Sequence, residues 1–230
     1  MIRRVGAPAV QACLGLALTL VLPAIAAAQQ PYVGAGSRGG KMEVSGAAAW
    51  TGGYDDGVAA AEETRNPTTG SAPLTLFNAN GSMHSGFGFE TRLGYYLSSR
   101  VSVEGTFQYT RPTLHVRLSN DFENADPTDA EVNVSTYIFG GSVLYHFGSG
   151  PFVPFVLGGA GYARQLEEAA SDATSGAEIH GGGGIKYWFG AAQRVGLRVD
   201  AQISSRSKSV GFEDKRRVLP SVAGGVVFLF

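Results

Sequence analysis

The stretch VGLRVDAQISS, residues 195–205, sets apolar Val195, Leu197, Val199, Ala201 and Ile203 against Arg198, Asp200, Gln202 and Ser204 at the intervening positions. Successive side chains of a β-strand point to opposite sides, so this period of two describes a strand with one apolar and one polar face. Its length matches the ~9–11 residues of a tilted strand crossing a bilayer.

Seven further segments repeat the pattern. Residues 41–52 place Met42, Val44, Ala48 and Trp50 opposite Lys41, Glu43, Ser45 and Thr51. Residues 86–97 set Phe87, Phe89, Leu93, Tyr95 and Leu97 against Glu90 and Arg92. Residues 101–118 alternate Val101, Val103, Phe107 and Tyr109 with Ser102, Glu104, Thr106 and Gln108, then pass Pro112 into Leu114, Val116 and Leu118. Proline cannot donate to a strand ladder, so Pro112 marks a bulge near a rim. Residues 132–147 group Tyr137, Phe139, Val143, Tyr145 and Phe147, while 152–164 are apolar on both faces. Residues 178–189 oppose Ile179, Ile185, Tyr187 and Phe189 to Glu178, His180 and Lys186. Residues 218–230 carry Val218, Val222, Val226, Phe228 and Phe230 on one face.

The connections alternate in length. Residues 98–100, 148–150 and 190–194 form short turns; residues 53–85, 119–131, 165–177 and 206–217 form longer loops. Short turns on one side and long loops on the other are characteristic of transmembrane barrels, with the short turns periplasmic. An even strand number puts both ends of the barrel on that same side.

Alternation alone does not say which face meets lipid. Aromatics at the strand ends decide it. Trp50, Phe87, Tyr109, Tyr137 and Tyr162 stand toward the long loops; Tyr95, Tyr145, Phe147, Phe152, Tyr187, Phe189 and Phe228 stand toward the short turns. Two such bands are interfacial girdles. The expected fold is all-β, an eight-stranded antiparallel up-and-down transmembrane β-barrel over residues 41–230, with its apolar face in lipid.

The first residues agree with an exported chain. Arg3 and Arg4 precede an apolar run from Leu14 to Leu22, then Pro23 and the small residues up to Ala28. This is the order of a secretory signal peptide, expected over 1–28, followed by a short periplasmic segment over 29–40. Cleavage after Ala28 removes Cys13, the only cysteine, so no disulfide or thiolate chemistry is expected. It also takes the formal charge from −1 to −3. Nucleic acid is therefore not an expected partner.

The resemblance rests on the Ala-x-Ala site, on Gly181 to Tyr187 (GGGGIKY), on Gly196 to Asp200 (GLRVD) and on Val222 to Phe230. On these residues the sequence resembles the bacterial outer-membrane protein β-barrel domain family, which includes the outer membrane protein A transmembrane domain and small porin-like barrels. The resemblance implies residence in the outer membrane of a Gram-negative envelope, among lipid and lipopolysaccharide. It also implies delivery by the barrel-assembly machinery, which reads a terminal aromatic and alternating apolar residues. Val222, Val226, Phe228 and Phe230 match that signal, and Gly224 departs from it. A peptidoglycan-anchoring domain after the last strand is not expected.

With the apolar face in lipid, the lumen receives Glu43, Glu90, Arg92, Glu104, Glu178, His180, Lys186, Arg198 and Asp200. Eight strands enclose a space only wide enough for side chains to fill. A charge network of Glu90, Arg92, Glu104, Lys186, Arg198 and Asp200 is therefore expected, with no open channel, alongside the alternative of a small gated pore. The other alternative is an enzyme modifying lipid A or phospholipid. Its candidate groups are His84 and Ser85 near Glu90, and His180 with Glu178. His84 and Ser85 are adjacent, with no acid evidently placed to orient them, and His180 in its glycine-rich strand is expected to pack in the lumen, so no catalysis is expected. Asp55-Asp56 and the acidic 121–129 loop lack a calcium-loop register. No metal or cofactor is expected, and the barrel is expected to be a monomer. The 33-residue first loop is either functional or disordered. The expectation is a non-enzymatic barrel serving envelope structure or surface interaction.

Overall fold

Strands dominate the computed structural model, which describes residues 38–63, 74–122, 125–167, 173–207 and 216–230. The expected signal peptide and most of the 29–40 segment lie outside these residues. The described residues form eleven strand elements: β1 (Met42–Thr51), β2 (Tyr54–Glu63), β3 (Leu74–Met83), β4 (Gly86–Tyr96), β5 (Val101–Arg111), β6 (Thr113–Ser119), β7 (Thr128–His146), β8 (Phe152–Glu167), β9 (Ala173–Phe189), β10 (Val195–Arg206) and β11 (Arg217–Leu229).

Eight of them close a ring. Its order is β1, β4, β5, β7, β8, β9, β10, β11 and back to β1, every pairing antiparallel. This is the expected up-and-down barrel, with periplasmic turns after β4, β7 and β9. Gly190, at φ +66°, opens the turn after β9 in a conformation that L side chains rarely adopt.

The remaining strands correct the reading of the first long loop. Residues 53–85 hold an antiparallel hairpin, β2 and β3, which continues through β6 to the first turns of β7, Thr128–Asn133. The result is a four-stranded sheet standing on the outer rim. The segment 101–118 is likewise two strands, not one. Pro112 separates β5, which belongs to the barrel wall, from β6, which belongs to the extension. A proline lacks the N–H needed to continue a ladder, but its carbonyl still accepts from the Val134 N–H at 2.9 Å. The expected 165–177 loop is shorter too, since β8 reaches Glu167 and β9 begins at Ala173.

Burial confirms which face is which. Phe87, Phe89, Leu93, Phe139, Val143, Tyr162, Leu197 and Val199 are exposed on the outside, whereas Glu90, Arg92, Glu104, Lys186, Arg198 and Asp200 are buried inside. Past Pro112 the polarity inverts. Leu114 and Val116 point inward, packing with Met83, Val134 and Tyr54, while His115 and Arg117 point outward. Outside the membrane the exterior meets water, so apolar groups move to the sheltered face. β7 shows the same switch along one strand, from inward Val134 to outward Phe139. At about 3.3 Å per residue its 19 residues run about 60 Å, well beyond an apolar band about 25 Å tall.

Candidate functional site

The lumen is built in layers. At the periplasmic end Tyr96, Val153, Trp188, Val227 and Leu229 form an apolar floor. Arg38, just before β1, closes over it. Its guanidinium lies 5.2 Å from the Trp188 ring centre and donates to the Gly150 carbonyl at 3.0 Å and to Gln193 Oε1 at 2.8 Å. One side chain thus ties the strand entering the barrel to the turns after β7 and β9.

Above the floor lies the charge layer. Arg92 donates to both Asp200 oxygens, at 2.7 and 2.9 Å, and also pairs with Glu90. Arg198 reaches Glu104 Oε2 at 2.6 Å and Asp200 Oδ2 at 3.0 Å. Lys186 Nζ sits between the Glu43 oxygens, at 2.6 and 2.7 Å, and the Tyr96 hydroxyl donates to Glu43 at 2.9 Å. The structure therefore brings all six residues of the expected network together. It adds Glu43 as the partner of Lys186. Breaking a buried pair strands an uncompensated charge, which is why each cation here has a carboxylate within reach. Phe155 completes the layer: the Arg198 guanidinium lies 4.7 Å and Lys186 Nζ 5.4 Å from its ring centre. This accounts for the inward Phe155 of β8, which meets two cations through its ring face.

A third layer stands toward the outer rim. Arg206 donates to Glu178 Oε2 through Nε at 3.0 Å and NH2 at 2.7 Å. His180 Nε2 lies 2.8 Å from Ser142 Oγ. The contact spans β9 to β7 across Gly159 of β8. A Cβ on Gly159 would stand 2.1 Å from the Gly141 carbonyl oxygen and 2.6 Å from His180 Nε2, so only glycine lets the imidazole cross. Higher still, a cavity with room for about one water molecule lies among Thr51, Thr110, Thr136, Gln165 and Arg206.

The candidate catalytic groups separate. His84 lies on the outer face, stacked on His115 with ring centres 3.9 Å apart, while Glu90 is inside the lumen. His84, Ser85 and Glu90 therefore do not form one site. His180 Nδ1 is 3.8 Å from Glu178 Oε1, beyond hydrogen-bond reach, and Glu178 is engaged by Arg206. Asp56 pairs with Arg217, and Asp129 lies 4.0 Å from Arg117. Among the described residues no group of three or more His, Cys, Asp or Glu side chains is placed to hold a metal.

The residues of the expected assembly signal, Val222, Val226, Phe228 and Phe230, all lie exposed on the outside of β11 or just beyond it. Several lumen groups were missed from the sequence: Tyr96, His146, Phe155, Trp188 and Arg38. Continuing the alternation past Tyr95 would have turned Tyr96 inward. Nothing local marks Arg38, whose partners lie 112 and 155 residues away.

A closed eight-stranded barrel with an apolar exterior, aromatic girdles and a charged interior defines a small transmembrane barrel of the outer membrane. The chain belongs to the outer membrane protein beta-barrel domain family, whose model matches residues 14–218. Among solved structures it is similar to the outer membrane protein OprG from Pseudomonas aeruginosa, at 10% identity over 84% of this chain and 96% of that one, with a TM-score of 0.56. It is also similar to Ail, the attachment invasion locus protein of Yersinia pestis, at 15% identity over 84% of this chain and 99% of that one, with a TM-score of 0.42. None of the curated proteins matches the sequence.

Proposed function

We propose that this chain is a non-enzymatic outer-membrane barrel whose lumen is sealed by paired charges and whose activity is surface interaction through the extension of β2, β3, β6 and the start of β7. The extension carries the reading. It consists of 10-residue β2, 10-residue β3 and 7-residue β6, all additional to the strands that close the barrel. Conserving the barrel does not need this sheet. A rigid sheet on the rim presents fixed groups to the exterior, which a floppy loop does not. Its outer face carries Asn78, Asn80, Ser82, His84, His115, Arg117, Glu131 and Asn133 beside the exposed Val58.

The test compares cells displaying the intact chain with cells displaying a variant in which residues 55–82 are replaced by a short turn. Binding to host-cell or extracellular-matrix surfaces should fall while heat-modifiable gel mobility, which reports the closed barrel, persists. Equal binding by both would contradict the reading.

A hydrolytic reading has one observation in its favour, the 2.8 Å contact between Ser142 Oγ and His180 Nε2. A nucleophile with an adjacent base is the start of a triad. Against it stand the enclosed lumen and Glu178, which is held by Arg206 and lies 3.8 Å from His180 Nδ1. Labelling of the folded protein by a fluorophosphonate, abolished in Ser142→Ala, would establish the hydrolase and sink the non-enzymatic assignment; no labelling supports it.

A further inference from the structure

We propose that His84 and His115, on the outer face of the extension, chelate a divalent transition-metal ion of the zinc class between their imidazole nitrogens. The ladder puts them there. Ser82 aligns with His115, and the His84 N–H donates to the Thr113 carbonyl at 2.8 Å, so the two histidines stand on a diagonal of neighbouring strands with their side chains on one face. Their rings stack with centres 3.9 Å apart and planes 18° from parallel. Two metal–nitrogen bonds of about 2.0–2.1 Å together span up to about 4 Å. A tilt about each Cβ–Cγ bond, a soft torsion for an imidazole, therefore brings one nitrogen of each ring onto a shared ion.

The next strand orients one of the two ligands. Glu131 of β7 aligns with His115, and its Oε1 lies 3.1 Å from His115 Nε2. A carboxylate at Nε2 draws the ring proton to that nitrogen and leaves the Nδ1 lone pair to the metal, which is how metal-binding imidazoles are usually held. One step along the same face Arg117 and Asp129 face each other at 4.0 Å, leaving Glu131 to balance the incoming charge. Imidazole suits zinc, copper and nickel, whereas magnesium and calcium take oxygen donors. With two imidazoles from the protein, the other coordination positions belong to water, so no third protein ligand is required. The chain's remaining histidines are engaged in the lumen, His146 with Ser102 at 3.0 Å and His180 with Ser142 at 2.8 Å. A metal added to the folded chain thus meets one imidazole pair. Bound there, it clips β6 to the junction of β3 and β4.

The site lies on the extension but does not depend on what the extension binds. It is tested by calorimetric titration of the purified, tag-free, folded chain in detergent with Zn²⁺, and with Mg²⁺ as the oxygen-preferring control. The wild type should take up one Zn²⁺ per chain, saturably, and no Mg²⁺ at these histidines. His84→Ala and His115→Ala should each weaken zinc binding by about tenfold or more, with His84→Gln and His115→Gln serving if the alanine variants fail to fold. Glu131→Gln should weaken it by about tenfold while limited proteolysis of the metal-free extension stays as in the wild type, a split that a merely structural role for Glu131 does not produce. Zinc should also slow proteolysis of the wild-type extension and leave that of the histidine variants unchanged. No saturable zinc uptake by the wild type would overturn the proposal. So would equal affinity in the wild type and in the variant lacking both histidines, since it would assign the ion to surface carboxylates.

Discussion

Arg92 on β4 and Asp200 on β10 meet across the lumen through two parallel hydrogen bonds, at 2.7 and 2.9 Å, joining walls that share no ladder. Asp200 also accepts from Arg198 at 3.0 Å and from Gln202 at 2.9 Å, so one carboxylate serves three donors. Removing it leaves two buried guanidinium groups short of a partner. Asp200→Ala should cost about 3–5 kcal/mol, read as a lower urea midpoint for unfolding in detergent. An unchanged midpoint would show that Asp200 is not the hub of the layer. The double substitution Arg92→Met with Asp200→Leu should not recover the loss, because it also strands buried Glu90, whose ion-pair partner is Arg92, and still leaves Arg198 without Asp200.

The glycine at position 159 makes a second, steric prediction. Gly159→Val should block barrel closure, since its Cβ meets the Gly141 carbonyl oxygen at 2.1 Å. Heat-modifiable mobility should be lost in the variant. Gly46→Ala, where a Cβ meets nothing within 4 Å, should keep it. A fully folded Gly159→Val barrel would contradict the close approach of β7 and β8.

The inversion of polarity past Pro112 predicts opposite tolerances for neighbouring residues. Leu114→Asp places a charge among Met83 and Val134 and should open the extension to limited proteolysis. His115→Asp, on the watered face one residue away, should leave it protected. On the barrel itself the outward side is the sensitive one: Val199→Arg, on the lipid face, should cost about 2–4 kcal/mol if it stands near the bilayer midplane. Equal protease sensitivity of Leu114→Asp and His115→Asp would refute the inversion.

These contrasts also show what was legible in the sequence. The β10 stretch, Val195 to Ser205, was readable because lipid on one side and packed charge on the other impose strict alternation. The lumen network followed from the same alternation, since every polar position of a narrow barrel faces the others. β2 and β3 were not readable. Their middles, such as Val58 to Ala61 and Asn78 to Gly81, carry small or polar residues with no period of two, and their order comes from pairing with β6 and with each other. Pro112 was read as a bulge in one strand when it divides two sheets, because a proline marks a break in a ladder without saying which partners lie beyond it. Arg38 was invisible for a simpler reason: its contacts are all made across the barrel mouth.

Conductance across a planar bilayer tests the sealed lumen most directly. The charge layer, the Phe155 ring and the apolar floor under Arg38 fill the interior, so the purified chain should give no stable single-channel steps at neutral pH and moderate voltage. Arg38→Ala combined with Trp188→Ala opens only the floor and should remain silent while the charge layer stands. Large, reproducible steps from the wild-type chain would contradict the sealed barrel and show a continuous path through it.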